Sequence, residues 1–110
     1  MIAENTQTQM RKGILEYCIL SIIARDETYA SDIIAELKAA QLLVVEGTLY
    51  PLLTRLKNNG LLTYNWVEST SGPPRKYYAL SDEGRKALAE LDKTWQELSY
   101  AVTTATAKKK

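Results

Sequence analysis

The spacing of apolar and polar residues predicts helices in the first half of the chain. Between Met10 and Arg25, apolar residues are too numerous for a single helical stripe, which indicates a helix covered on two sides. In so small a protein, we expect the second cover to come from another chain. A turn at Asp26 and Glu27 separates this helix from a second one, predicted to run from about Tyr29 to Ala40.

The segment from Glu46 to Asn59 has the spacing of a short amphipathic helix that stops at Gly60. Its predicted core positions are leucines at i, i+3, i+4 and i+7, namely Leu49, Leu52, Leu53 and Leu56. The opposite face has little charge or bulk and consists of Gly47, Pro51, Thr54 and Asn58, flanked by Tyr50 and Arg55. Because proline is tolerated only near a helix start, the regular helix is predicted to begin close to Gly47 or Thr48.

After Gly60 the pattern changes to a period of two residues, which predicts a β-hairpin. The alternating apolar residues of the first strand are Leu62, Tyr64 and Trp66. The second strand is predicted over the aromatic run from Arg75 to Leu80. The loop between them, up to Pro74, is rich in proline and ends at two adjacent cations, Arg75 and Lys76, so the hairpin tip is expected to be polar, extended and locally basic.

A long helix is predicted from Ser81, a good N-cap that is followed by Asp82 and Glu83 in the first turn. Heptad spacing then continues through Leu88, Leu91, Trp95, Leu98, Val102 and Ala105. About 24 residues make a rod of roughly 36 Å, too long for an 80-residue domain to cover. We therefore predict a homodimer whose interface contains Leu88, Leu91, Trp95, Leu98 and Val102.

Composition narrows the class of protein. A chain of 110 residues with 45% hydrophobic residues is expected to form one modest core. No apolar run approaches the roughly 18 residues that cross a bilayer, and the first ten residues lack the zones of a signal peptide, so we expect a soluble, cytoplasmic protein without a membrane partner. The single cysteine, Cys18, lies in an apolar segment, which favours a buried structural thiol over a redox sensor.

Charge and side-chain chemistry argue against catalysis. The chain has no histidine, the commonest general base and metal ligand, and its carboxylates are scattered along predicted helix faces. We therefore predict no enzyme, no catalytic residue, no metal and no cofactor. The net charge is only +1, so a surface for DNA would have to be a local patch.

Three helices followed by a two-stranded hairpin is the order of a winged helix-turn-helix, in which the third helix enters the major groove. The predicted fold is therefore mainly α with a small β-hairpin wing and a long C-terminal dimerisation helix. Residues 1–80 would form the DNA-binding domain, and residues 81–110 the dimerisation helix and a basic tail. The helix residues predicted to bind DNA are Gly47, Thr48, Tyr50, Pro51, Thr54 and Arg55, and those of the wing are Arg75 and Lys76.

Three of these predicted contacts are cations suited to acceptors on DNA. Arg55 is long enough to reach a phosphate or a guanine edge. Arg75 and Lys76 would be an ordinary exposed pair in most proteins, but at the base of a wing they are expected to bind phosphate or the minor groove.

The residues from Gly47 to Leu56, from Asn59 to Leu62 and from Gly72 to Ser81 resemble the recognition helix and wing of the PadR-like regulators, a bacterial family. The resemblance implies a winged helix-turn-helix dimer with a swapped C-terminal helix. It also implies a repressor that a small aromatic molecule often releases from its operator. Two departures are visible, because Ala30 and Ser31 follow Tyr29 where glycine and an aromatic residue are common, and Thr54 stands where histidine is frequent.

The same resemblance implies roles for further residues. It assigns a phosphate contact to the hydroxyl of Tyr50 and a backbone contact to Lys12, beside Arg11. An effector pocket between the first and last helices would be lined by Tyr17, Leu91 and Trp95. Plain dimer packing is an equal alternative for Trp95.

The predicted function is a transcriptional regulator with three partners: an operator in double-stranded DNA, a second copy of the chain and a small aromatic ligand. The alternative is a winged helix that binds another protein. Such a protein should expose apolar residues at positions 47, 51, 54 and 58, and only Pro51 is apolar there.

Overall fold

The computed structural model describes residues 10–11, 13–42 and 44–107. Lys12, a predicted DNA contact, lies outside the described residues. The elements follow in the order α1 (Leu15–Arg25), β1 (Thr28–Tyr29), α2 (Ala30–Ala39), α3 (Glu46–Asn58), β2 (Leu62–Val67), β3 (Arg75–Leu80) and α4 (Asp82–Thr106). This architecture confirms the predicted fold class, which is mostly helical with a small antiparallel wing and a long C-terminal helix.

Helices α1, α2 and α3 enclose one hydrophobic core. Its most deeply buried large side chains are Ile19, Leu20, Ile33, Leu37, Leu49, Leu53 and Leu56. Three of the four leucines predicted as the core stripe of α3 are thus buried, and the fourth, Leu52, is partly buried against them. Cys18, predicted to be a buried thiol, is only partly buried beside this core, and this burial raises the pKa of its thiol.

The sheet has a third strand that the sequence pattern did not predict. Tyr29 was expected to open the second helix, whereas it lies in β1 and α2 begins one residue later, at Ala30. Strand β1 pairs with β3, with Tyr29 opposite Tyr77, so β3 is the central strand. A strand of two residues has no periodicity of its own, and only its pairing with a distant segment makes it a strand.

The β2–β3 hairpin is anchored at its base and exposed towards its tip. Leu62 pairs with Leu80 at the base, where both side chains are buried. Val67 pairs with Arg75 at the far end, where both side chains are exposed, so Arg75 and its neighbour Lys76 lie towards the tip of the hairpin and not at its base. The hairpin therefore projects from the core as a wing.

The start of α4 is held against the turn that follows α3. Gly60 ends α3 in a left-handed conformation, with φ of +83°. The Ser81 hydroxyl accepts a hydrogen bond from the Gly84 amide at 2.9 Å, which caps α4, and donates one to the Gly60 carbonyl at 2.5 Å. Gly84 is buried so closely against Leu61 that a Cβ at position 84 would lie 2.1 Å from the Leu61 carbonyl oxygen.

Helix α4 contacts the core only along its first half. Leu88 and Leu91 are partly buried against α1 and the core, whereas Trp95, Leu98 and Val102 are about half exposed. The molecule is elongated, with principal-axis extents of 61 × 33 × 21 Å. Within the described ranges, no helix combines the length and apolar character needed to cross a membrane.

Candidate nucleic-acid interface

Helix α3 presents an exposed face of small and polar side chains. Every residue predicted to read DNA from this helix is exposed: Gly47, Thr48, Tyr50, Pro51, Thr54 and Arg55. The helix begins at Glu46, slightly earlier than predicted, and Pro51 lies inside it rather than in its first turn. Because proline has no N–H, the Gly47 carbonyl has no donor four residues ahead, and it remains an acceptor on this face.

The two cations of the wing lie over aromatic rings. The guanidinium of Arg75 is 4.6 Å from the ring centre of Tyr29. The Lys76 ammonium is 4.4 Å from the ring centre of Tyr64 and 5.3 Å from that of Trp66. Such contacts are worth about 0.5–1 kcal/mol at exposed sites, enough to favour one position for a long side chain. These cations are therefore held beside α3.

A groove runs between α3 and the wing. Its wider part is a cavity of about 400 Å³, with Tyr50 of α3 on one side and Trp66 and Arg75 of the wing on the other. Its narrower part, about 130 Å³, lies between Thr54 of α3 and Tyr64 of the wing. Lys76 lines both parts, so the two lie next to each other and share a cation.

Several residues of this groove were not among the predicted DNA contacts, and Trp66, Lys57 and Tyr29 are the ones whose side chains bear on its chemistry. Trp66 is 64% exposed. The period-two pattern already placed this large apolar side chain near the tip of the wing, which was a usable signal for a contact residue. Lys57 lies at the narrow part of the groove, with its ammonium 5.4 Å from the Tyr64 ring centre. Tyr29 reaches the wide part only through the pairing of β1 with β3, for which the sequence has no local signal.

Arg55 lies on the other flank of α3, towards α1. Its guanidinium nitrogen Nη2 forms an ion pair with the Oε2 atom of Glu16, a residue of α1. The Arg55 side chain is still 58% exposed. The structure thus adds a carboxylate partner that the sequence pattern did not indicate.

The predicted effector residues lie where α1 meets α4. The Tyr17 hydroxyl donates a hydrogen bond of 2.6 Å to Oδ1 of Asp92, and this bond is the main cause of a raised pKa for Tyr17. Leu91 packs on the core, one residue before Asp92. Trp95 lies about one turn further along α4 and is 40% exposed. The structure therefore brings Tyr17 and Leu91 into the α1–α4 contact and leaves Trp95 at its edge.

The fold has three packed helices followed by a β wing, and the third helix has an exposed face beside the cations of the wing. These features define a winged helix-turn-helix protein. In residues 10–11, 13–42 and 44–107, no three cysteine or acidic side chains gather as a metal site would require. The chain belongs to the transcriptional regulator PadR-like family, which it matches over residues 19–90. Membership of a family of regulators confirms the prediction of a transcriptional regulator rather than an enzyme.

Solved structures and curated sequences agree with this assignment. A PadR-like transcription factor of Bacteroides fragilis is 59% identical, with 93% of this chain and 99% of that chain covered and a TM-score of 0.77. A PadR-like transcriptional regulator of Bacillus cereus is 36% identical, with 92% and 99% covered and a TM-score of 0.83. A transcriptional regulator of Mycobacterium tuberculosis is 31% identical over 94 residues, 86% of this chain and 87% of the relative.

One similar structure contains DNA. Bacillus subtilis PadR, solved in complex with operator DNA, is 26% identical to this chain, with a TM-score of 0.65. The similarity covers 71% of this chain and 46% of that one.

Proposed function

We propose that the protein is a repressor that binds operator DNA as a homodimer, with α3 in the major groove and the wing beside the DNA backbone. The observation that carries this proposal is the groove between α3 and the wing, which has the cations Arg75, Lys76 and Lys57 along its length. The operator complex of the Bacillus subtilis relative supports it. The proposed site of action is the cytoplasm, where bacterial DNA lies.

Local charge supports DNA over a protein partner. The chain as a whole has a net charge of +1, yet the groove is lined by cations, which suits a polyanion. At the centre of the exposed α3 face, Pro51 is flanked by Gly47 and Thr54, which are small and exposed, so the backbone of a base-reading helix can approach closely. We assign phosphate contacts to Arg75, Lys76 and Tyr50, and base contacts to Thr54 and Arg55.

The exposed half of α4 supports the homodimer. Trp95, Leu98 and Val102 lie on one side of this helix, and the described part of the chain leaves about half of their surface exposed. A second copy of α4 would bury them in heptad packing. Leu88 and Leu91 would lie at the edge of this interface, because they already pack on the core of their own chain. Residues 1–80 would then bind DNA, and residues 81–110 would set the distance between the two recognition helices.

Selection of a binding site tests this function directly. The full-length protein is used to recover sequences from a pool of random duplexes, and a gel mobility shift then compares the recovered site with unrelated DNA. We expect one enriched palindromic sequence with half-sites about 34 Å apart, or a multiple of that, as two symmetric recognition helices require. A pool that stays random after repeated rounds contradicts the proposal and favours the protein-binding alternative.

We further propose that a flat aromatic ligand releases the repressor by binding beside Trp95. Two indoles related by a twofold axis can enclose a planar ring, and each aromatic pair adds roughly 0.5–1.5 kcal/mol beyond area burial. Trp66→Phe leaves Trp95 as the only indole of the chain, so quenching of its fluorescence reports binding. We expect quenching together with weaker operator affinity for one class of planar compound. Operator affinity unchanged across phenolic acids, dyes and multi-ring drugs contradicts this mechanism.

A further inference from the structure

The ion pair between Glu16 and Arg55 brings a negative charge to the edge of the proposed DNA surface. Glu16 belongs to α1, and Arg55 belongs to the exposed flank of α3, 39 residues later in the chain. A carboxylate beside a surface that binds phosphates opposes binding, since like charges repel. A contribution to stability does not explain why a carboxylate lies there, because exposed ion pairs contribute little to folding.

The geometry of the pair leaves Arg55 able to bind a second group. The ion pair with Glu16 is made through one guanidinium nitrogen of Arg55, Nη2. A guanidinium has five N–H donors in a planar fork, so others remain for a second acceptor. The Arg55 side chain remains 58% exposed and that of Glu16 only 36%, so the carboxylate lies on the inner side of the pair. The outer edge of Arg55 can therefore meet an acceptor in the groove of the DNA.

The charge of Glu16 affects the two possible acceptors differently. The O6 and N7 atoms of a guanine edge are neutral acceptors and match the planar fork of arginine. A phosphate is an anion, and a carboxylate in contact with the same guanidinium repels it. An arginine that is held by a carboxylate also loses less side-chain freedom when it binds.

We propose that Glu16 is a positioning residue that directs Arg55 to a guanine edge and away from the phosphate backbone. This inference rests on the proposed DNA-binding function and deepens it. Glu16 acts through Arg55, so that the pair raises the ratio between operator affinity and affinity for random DNA.

The test compares Glu16→Gln, Arg55→Ala and the double variant in the full-length protein. Each is titrated with the duplex recovered by the wild type and with a random duplex of the same length, over a series of salt concentrations. For Glu16→Gln we expect the operator-to-random affinity ratio to fall at least about fivefold, the lower end of the discrimination given by one bidentate arginine. On random DNA, the salt slope should steepen by about 0.9, the value for one added phosphate contact.

The double variant shows whether Glu16 acts through Arg55. We expect Glu16→Gln to change neither the ratio nor the slope once Arg55 is alanine. Glu36→Gln is the matched control, because Glu36 pairs with Arg25 at 3.2 Å on a different surface, and its removal should leave both quantities unchanged.

Two results overturn the inference while leaving the proposed function intact. One is a Glu16→Gln protein whose ratio and slope equal those of the wild type. The other is a change that persists in the Arg55→Ala background, which would mean direct repulsion between Glu16 and the DNA. A wild-type protein that enriches no sequence from the pool would instead remove the proposed function itself.

Discussion

At the scale of single residues, aromatic rings of the three-stranded sheet hold the two cations of the wing in place. Lys76 lies over Tyr64 and Trp66, and Arg75 lies over Tyr29. A cation on a ring face keeps its charge and gives up little hydration, so it remains available to a phosphate. We therefore expect these side chains to contribute to DNA affinity rather than to sequence discrimination.

We expect Lys76→Met and Arg75→Met to weaken binding to every DNA sequence by a similar factor. Methionine keeps an apolar stem on the aromatic ring and removes the charge. Each variant should flatten the salt dependence by about 0.9 per lost phosphate contact. Titrations of operator and random duplexes at several salt concentrations measure this. Arg25→Met removes a cation outside the groove and serves as the control. A salt dependence that stays at the wild-type value in the Lys76 and Arg75 variants would falsify the proposal that the wing binds phosphates.

At the scale of elements, α4 is joined to the rest of the fold at several points, and single substitutions can test two of them. Gly84 seats the first turn of the helix on Leu61, and the hydrogen bond from Tyr17 to Asp92 ties α4 to α1 eight residues further on. Both contacts hold the first half of α4 against the rest of the chain.

We expect Gly84→Ala to lower the free energy of unfolding by about 1–3 kcal/mol, as overpacking does. The added Cβ would lie 2.1 Å from the Leu61 carbonyl oxygen, so the helix must shift. Gly47→Ala is the control and should raise the free energy of unfolding. A Cβ there meets no atom within 4 Å, and alanine is favoured over glycine in a helix by up to about 1 kcal/mol. Thermal or urea unfolding compares the two, and equal stability of both variants would contradict the close approach.

The Tyr17 bond predicts a dependence of stability on pH. The pKa of Tyr17 is raised above its ordinary value of 10.0, mainly by the hydrogen bond to Asp92. The folded protein therefore holds this proton more tightly than the unfolded chain, and the stabilisation is present in full below about pH 10. It is lost as the pH rises through the folded-state pKa.

The prediction is checked by urea unfolding at about pH 8 and about pH 11. Tyr17→Phe should be less stable than the wild type at the lower pH, and the difference should shrink at the higher pH. Tyr100→Phe, which changes an exposed tyrosine of α4, should show no such trend. A difference that is the same at both values would mean that the hydroxyl of Tyr17 contributes nothing through Asp92.

At the scale of the whole molecule, the length of α4 is what implies a second chain. The helix runs for 25 residues, and large apolar side chains in its C-terminal half remain exposed in the described part of the chain. A monomer would expose Trp95, Leu98 and Val102 together, a patch typical of an interface. The DNA-binding unit is therefore proposed to be the dimer.

We expect Leu98→Asp to separate the dimer and to abolish operator binding, because a charge in an apolar seam costs several kcal/mol. Light scattering measures the mass, and a mobility shift measures binding. Gln96→Asp is the control. At 100° per residue, position 96 lies about 160° from position 98 around the helix, so this variant has the same added charge outside the seam and should remain a dimer. A wild-type protein that is monomeric and still binds its operator would remove the dimer proposal.

Local pattern determined most of the elements of this protein. The leucine stripe of α3, the stop at Gly60, the Ser81 cap and the period-two wing are signals between residues close in the chain, and the structure has each of them. The candidate helix face was predictable for the same reason, since one amphipathic helix defines both its buried and its exposed side.

Only the tertiary structure decided which distant residues meet. The pairing of β1 with β3 places Tyr29 under Arg75, and the packing of α1 on α3 gives Arg55 its carboxylate partner. The approach of Gly84 to Leu61 is of the same kind. Periodicity records which side of an element is buried but not which residue of another element it meets, and such contacts form only when the whole core packs.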